Sequence, residues 1–269
     1  MSIRDAKILK FVPNALTIGN SLCGFIAILY TLRAYDKNQD PSAMLLVFVV
    51  SAWMIFAAMI FDALDGLAAR AFHAASMTGI QMDSLADMVT FGVAPATLVA
   101  ILTHSLRGEL KPVQVLIVYA LCSIYLGCAA LRLAIYNVKA ITEHKSSKSF
   151  SGLPSPGGAA AICVIIFFVY KLSTRETSGI DLHRLVFILP AYAAFLGLLM
   201  VSNIPYLHVG KWLVTMGRSH RKLLLFIVLM VLVAIFQIYA LAAIVTGYIL
   251  SGPLSLLLPR KVRQRIFED

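Results

Sequence analysis

The sequence predicts an all-α fold, a polytopic transmembrane bundle of eight helices that forms a single domain over residues 1–269. Of the 269 residues, 60% are hydrophobic and only 13% are charged, whereas a soluble domain carries roughly a quarter charged residues. The apolar residues form long runs, and a membrane-spanning helix needs about 20 of them. These features exclude a disordered chain, and the four cysteines are too few for a disulfide scaffold.

Six apolar runs qualify, or nearly qualify, as spanning helices: about 15–33, 43–61, 85–103, 113–136, 157–170 and 185–201. The basic start of the chain precedes a long run without a small-residue cleavage site, so we expect a retained first helix. A last apolar stretch runs from Leu223 to Leu258 and is broken at Gly252-Pro253. Its first 28 residues would form a helix of about 42 Å, against a hydrocarbon core of about 30 Å. One tilted helix and a tight hairpin both fit this length.

The distribution of positive charge favours the hairpin, because Lys and Arg remain preferentially on the cytoplasmic side. With the N-terminus inside, eight crossings place 16 of the 23 Lys and Arg residues in the cytoplasm, and seven crossings place 12 there. We therefore expect eight helices, with seven possible, arranged as a six-helix catalytic core at about 11–206 and a C-terminal hairpin at about 221–258. The formal charge of +10 suits contact with anionic membrane lipids and requires no nucleic-acid partner.

Four aspartates lie at the predicted cytoplasmic ends of the second and third helices: Asp62, Asp65, Asp83 and Asp87. A carboxylate at the bilayer centre costs about 2.5–3.5 kcal/mol on insertion scales, and less near the interface. The first two share a helical face with Gly66, Ala69 and Arg70, and the last two continue a four-residue step from Gly79. We expect these faces to converge and to bind something positive.

The chemistry of this cluster favours a hard cation. Oxygen-only ligands suit Mg²⁺, Ca²⁺ or Mn²⁺, and such ions bridge phosphate oxygens in phosphoryl-transfer sites. Small residues at 66, 69 and 79 would let a bulky nucleotide lie against the backbone, and Arg70 could hold a phosphate bidentately. In a simpler interpretation, Asp62 and Asp65 pair with Arg70 and the other two acids are solvated. A divalent-cation transporter is a further alternative.

The pattern Asp62-x-x-Asp65-Gly66-x-x-Ala69-Arg70, followed after eight residues by Gly79-x-x-x-Asp83-x-x-x-Asp87, resembles the full signature of the CDP-alcohol phosphatidyltransferases. The resemblance implies that the four aspartates bind two divalent ions, Mg²⁺ or Mn²⁺, and that Asp87 is also the catalytic base. It further implies that the nucleotide of a CDP-linked substrate is bound by Asp65, Gly66, Ala69, Arg70 and Gly79. The active site would then face the cytoplasm.

Flanking segments look like the phosphatidylserine synthase branch of that family, namely Pro13-Asn14-Ala-Leu-Thr17, Leu131-Arg132-Leu-Ala-Ile-Tyr-Asn137 and Phe150-Ser-Gly-Leu-Pro-Ser-Pro156. The branch implies CDP-diacylglycerol and L-serine as substrates, CMP and phosphatidylserine as products, and a possible homodimer. Candidates for contact with the acceptor or the lipid phosphate are Arg132, Asn137 and Asn14. Arg132 could instead pair with the aspartates or extend toward the interface. Glycerol 3-phosphate or an inositol phosphate remains an alternative acceptor.

Overall fold

The computed structural model describes residues 3–35, 41–72, 76–107, 110–142, 152–174, 182–206 and 236–256, which are almost entirely helical. The α-helices are α1 (Ile3–Leu32), α2 (Pro41–Ala71), α3 (Met77–Asp87), α4 (Ala94–Arg107), α5 (Pro112–Thr142), α6 (Ser155–Ser173), α7 (Leu182–Val201) and α8 (Ile238–Ser255). A short 3₁₀ turn follows α1 at Arg33–Tyr35, and a π-helical segment, Met88–Val93, joins α3 to α4. No strand occurs in these ranges, so the all-α prediction is confirmed.

Six helical stretches in the described ranges are long and apolar enough to cross a membrane: Phe11–Tyr35, Ala43–Ala71, Met77–Leu106, Pro112–Val138, Ser155–Ser173 and Ile238–Ser255. Val186–Val201 is a shorter apolar helix that matches the sixth predicted run. The chain is therefore a multi-pass membrane protein. Residues 207–235, where the first helix of the predicted hairpin falls, lie outside the described residues, so the count of eight remains a prediction.

Two helices extend well beyond the apolar runs that identified them, and both extensions carry aspartates. The second run was expected to end near residue 61, but α2 continues to Ala71. The third was expected to begin near residue 85, but α3 begins at Met77, where the Ser76 hydroxyl accepts a hydrogen bond from the Gly79 amide at 3.0 Å. This N-cap satisfies one of the first helical N–H groups. Both acidic faces are therefore helical, which keeps their spacing fixed.

Helix α1 packs chiefly against α2, and it also contacts α3 and the π segment. Its inner face consists of small and polar residues spaced three or four apart: Thr17, Asn20, Gly24, Ala27 and Thr31. At Gly24 a Cβ atom would lie 2.4 Å from the Thr90 hydroxyl and 2.9 Å from the Thr90 Cα, so only glycine allows this approach. The close contact brings the π segment, which follows Asp87, directly against α1.

The π segment is held from two sides by hydrogen bonds to other helices. Thr90 donates its hydroxyl proton to the Asn20 carbonyl at 3.2 Å, and the buried Tyr125 hydroxyl donates to the Phe91 carbonyl at 2.8 Å. A π turn disrupts the regular i→i−4 bonding of a helix, and such turns often lie at functional sites. This one begins at the residue after Asp87.

Candidate functional site

The helix packing brings together three of the four aspartates that the spacing singles out. One carboxylate oxygen from each of Asp62, Asp83 and Asp87 lies within 4.8 Å of the other two. None of the four aspartates forms an ion pair with Lys or Arg among the residues that the structure describes. The expected alternative of an Asp62–Asp65–Arg70 ion pair is therefore not what the structure contains.

The fourth aspartate, Asp65, lies outside this group of three but beside it. It is 5% exposed, and its Oδ2 atom accepts a hydrogen bond from the Thr17 hydroxyl at 2.9 Å. Thr17 also lies 3.0 Å from the Pro13 carbonyl. Asp65 and Asp83 both line a cleft of about 120 Å³ between α1, α2 and α3, so the fourth carboxylate faces the same space.

Four of the five residues that the signature predicts for nucleotide contact line this cleft, and Arg70 is not among its lining residues. Its walls are Pro13, Asn14, Thr17, Asp65, Gly66, Ala69, Ser76, Gly79, Ile80 and Asp83. A Cβ atom at Gly66 would meet only the Arg70 guanidinium, at 3.7 and 3.9 Å. Helix–helix packing therefore does not require a glycine at this position. The Arg70 guanidinium lies close to Gly66, one of the residues that line the cleft.

The donor set fits a hard divalent cation. Three convergent carboxylates supply anionic oxygen ligands, and no Lys or Arg of the described residues forms an ion pair with them. Anionic oxygen ligands are those that Mg²⁺ and Mn²⁺ prefer. In addition, Asp83 Oδ1 is buried and has no hydrogen-bond partner among the described residues. A buried carboxylate oxygen with no partner is costly unless a cation or water satisfies it.

Asp87 is the most constrained member of the group. Its Oδ1 atom accepts a hydrogen bond from the Asn20 side-chain amide at 3.0 Å, and Asn20 is fully buried. The carboxylate thus has one oxygen engaged by α1 while it also approaches Asp62 and Asp83.

The acceptor candidates are divided between two places. Asn14 lines the cleft, and its Oδ1 atom would lie 3.7 Å from a Cβ atom at Gly79. Asn137 is tied to α3, because the Ser84 hydroxyl lies 2.7 Å from Asn137 Oδ1, one residue away from Asp83. Asn14 therefore belongs to the cleft, and Asn137 contacts α3 beside Asp83.

Arg132 is 9% exposed, and its Nη1 atom donates a hydrogen bond to the Met200 carbonyl at 3.1 Å. Gly152, with φ +89°, packs against the Arg132 guanidinium and the Met200 carbonyl. A Cβ atom at this position would be 2.2 Å from the Met200 oxygen. Tyr136, one turn beyond Arg132, lies within electrostatic range of both Arg132 and the Asp62–Asp83 pair. Arg132 is thus anchored to the end of α7.

Several site residues were missed as candidates by the sequence analysis, notably Thr17, Asn20, Ser76 and Thr90. A signal for the first two was present, since Asn14, Thr17 and Asn20 recur every three residues within the mostly apolar span Phe11–Tyr35. Polar side chains at that spacing share a helical face. Nothing in the spacing indicates that Thr90 contacts α1.

Comparison with known proteins finds similar sequences over most of the chain. The sequence profile described as CDP-alcohol phosphatidyltransferase matches residues 10–199. Relatives named CDP-diacylglycerol–serine O-phosphatidyltransferase include one from Helicobacter pylori, 30% identical over 205 residues that cover 76% of this chain and 74% of that protein. Another, from Bacillus subtilis, is 33% identical over 210 residues, covering 76% and 93%. A third, from Methanocaldococcus jannaschii, is 31% identical over 165 residues, covering 61% and 67%.

Proposed function

Because the chain belongs to the CDP-alcohol phosphatidyltransferase family, we propose that it transfers the phosphatidyl group of CDP-diacylglycerol to the hydroxyl of L-serine, giving phosphatidylserine and CMP. The observation that carries this proposal is the group of three carboxylates beside a cleft lined by small residues. The names of the relatives support serine as the acceptor. The charge distribution along the sequence supports a cytoplasmic active site.

Asp62, Asp65, Asp83 and Asp87 would hold two divalent ions, Mg²⁺ or Mn²⁺. When bound, such ions neutralise charge on the diphosphate and favour loss of the proton from the attacking hydroxyl. The unpartnered Asp83 Oδ1 atom and the absence of ion pairs around the described carboxylates support this assignment.

The cleft would receive the nucleotide. Gly66, Ala69 and Gly79 present little side chain, so the cytidine and diphosphate can lie against the backbone, and Arg70 can contact a phosphate bidentately. Asp65 is held by Thr17 at the wall of the cleft, where its carboxylate can also accept a hydrogen bond from the nucleotide. Asn14 lies on this side of the site and supports contact with the nucleotide or phosphate more than with serine.

Asp87 would act as the general base. It takes the proton of the serine hydroxyl, the serine oxygen bonds to the phosphorus that carries diacylglycerol, and the bond from that phosphorus to CMP breaks. A general base must come within hydrogen-bond reach of the proton that it removes. The restrained carboxylate of Asp87, within 4.8 Å of two other ligand candidates, supports this role.

Arg132 would bind the serine carboxylate. A guanidinium presents its N–H donors in a rigid fork that matches the geometry of a carboxylate, and the bond to the Met200 carbonyl holds this guanidinium in place. Tyr136 and Asn137 follow on the same helix and lead from Arg132 toward Asp83, which supports a serine site between α5 and α3.

The direct test is CMP release by the purified protein with CDP-diacylglycerol and one alcohol at a time. We expect release with L-serine in the presence of Mg²⁺ or Mn²⁺, and background rates with glycerol 3-phosphate or an inositol phosphate. Release with glycerol 3-phosphate alone would refute the serine assignment but keep the reaction class. Divalent-cation flux in proteoliposomes without any CMP release would favour the transporter.

A further inference from the structure

We propose that Asn20 is a positioning residue, which holds the Asp87 carboxylate in the orientation needed to take the proton of the acceptor hydroxyl. This inference rests on the proposed function and adds a residue that the aspartate signature does not contain. Asn20 acts through Asp87 and is given no contact with substrate.

The first support is the direction of the hydrogen bond. The Asn20 Nδ2 group donates to Asp87 Oδ1 at 3.0 Å, and a side-chain NH₂ group can only donate. This bond occupies Oδ1, so Oδ2 is the oxygen that would take the proton. Asn20 is fully buried, so water does not compete for the amide.

The second support is that Asn20 is itself anchored. Its backbone carbonyl accepts the Thr90 hydroxyl at 3.2 Å, and Gly24, one turn along α1, leaves the space that Thr90 occupies. Thr90 lies in the π segment that starts directly after Asp87. The same two pieces of backbone therefore carry both ends of the Asn20–Asp87 bond, which fixes the carboxylate relative to α1.

The third support is that helix packing alone does not explain an asparagine at position 20. Asn20 Oδ1 is buried and has no hydrogen-bond partner among the described residues. A buried amide with an unpaired oxygen costs folding free energy, and an apolar residue of similar size would avoid that cost. Helix packing therefore does not explain the asparagine. Restraint of Asp87 does, because three carboxylates within 4.8 Å repel one another and an unheld Asp87 would rotate away.

The test compares Asn20→Leu, which removes the amide but keeps most of the volume, with a matched control. Thr31→Val removes another buried hydrogen bond from the same face of α1, the 3.0 Å contact between Thr31 and Ser51, away from the aspartates. For both variants we would measure kcat, the KM for each substrate, the thermal midpoint and the Kd for Mn²⁺ by electron paramagnetic resonance.

We expect Asn20→Leu to lower kcat by about 10- to 100-fold, the usual effect of removing a partner that orients a metal-site ligand. The KM for CDP-diacylglycerol should stay within about twofold, because Asn20 does not line the cleft, and Mn²⁺ binding should weaken. Thr31→Val should lower the thermal midpoint and leave kcat and the Mn²⁺ Kd unchanged. A kcat of Asn20→Leu within twofold of wild type, or a loss equal to that of Thr31→Val, would overturn the proposal.

Two further outcomes remain decisive. If Asn20→Leu does not fold, Asn20→Asp, which has nearly the same shape but an oxygen in place of the NH₂ donor, should still lose at least tenfold in kcat, and full activity would refute the role. If the wild-type protein releases no CMP with serine, the proposed function fails. The positioning role of Asn20 is then tested by the Mn²⁺ Kd alone. Weaker binding by Asn20→Leu than by Thr31→Val would support the positioning role, and equal binding would refute it.

Discussion

The Gly66→Ala substitution tests whether the glycine at the floor of the cleft is needed for nucleotide binding or for helix packing. The added Cβ atom would contact only the Arg70 guanidinium, at 3.7 and 3.9 Å, which are ordinary van der Waals distances. Gly66 lies within α2, where replacing glycine by alanine favours the helix by about 0.5–1 kcal/mol. We therefore expect the thermal midpoint to stay the same or to rise slightly.

The same methyl group would occupy the surface against which the nucleotide is proposed to lie. Forcing an extra carbon into a close-packed contact costs about 1–3 kcal/mol. At 1.4 kcal/mol for each factor of ten, binding of CDP-diacylglycerol should weaken about 5- to 150-fold. The Mn²⁺ Kd should be unchanged, because the added Cβ atom meets none of the three convergent carboxylates.

The assay is the KM for CDP-diacylglycerol in mixed micelles, measured with the thermal midpoint of the same preparation. Gly127→Ala is the matched control, because Gly127 lies within α5, is exposed, and has no atom within 4 Å of its ideal Cβ position. It should gain the same helix propensity without any change in KM. If Gly66→Ala leaves the KM within twofold of wild type, or if it lowers the yield of folded protein as a packing glycine would, the nucleotide does not lie there.

Three other outcomes are expected. Asp83→Asn should abolish CMP release and weaken Mn²⁺ binding. The metal-free variant should stay folded, because the substitution removes one of three carboxylates that repel one another. Full activity of this variant would refute the two-metal proposal. Arg132→Lys should raise the KM for serine more than the KM for CDP-diacylglycerol, since lysine lacks the guanidinium fork, and equal changes would remove Arg132 from the serine site. Cysteines introduced near Arg260 should react with impermeant reagents only from the cytoplasmic side if eight helices cross the membrane. Labelling only from the outside would indicate seven membrane-spanning helices.

The sequence by itself was sufficient to predict the fold class and the acidic character of the candidate site. Hydropathy identified the membrane helices because the bilayer imposes a length of about 20 apolar residues on each crossing. The fixed helical period placed Asp62 with Asp65, and Gly79 with Asp83 and Asp87, on common faces. These features depend only on residues close together in the chain, so they could be predicted without the tertiary structure.

Contacts between helices could not be predicted in this way, because a helical period states which residues share a face but not what that face meets. The packing of α1 against α2 and α3 gave Asp65 the Thr17 hydroxyl and gave Asp87 the Asn20 amide, although 48 and 67 residues separate these partners. It also grouped three carboxylates within 4.8 Å and left the fourth on the wall of the cleft. Arg132, expected to bind an anion, the aspartates or the interface, donates to the Met200 carbonyl. Each of these outcomes depends on how closely two backbones approach, as at Gly24 and Thr90, and only the folded chain determines that distance.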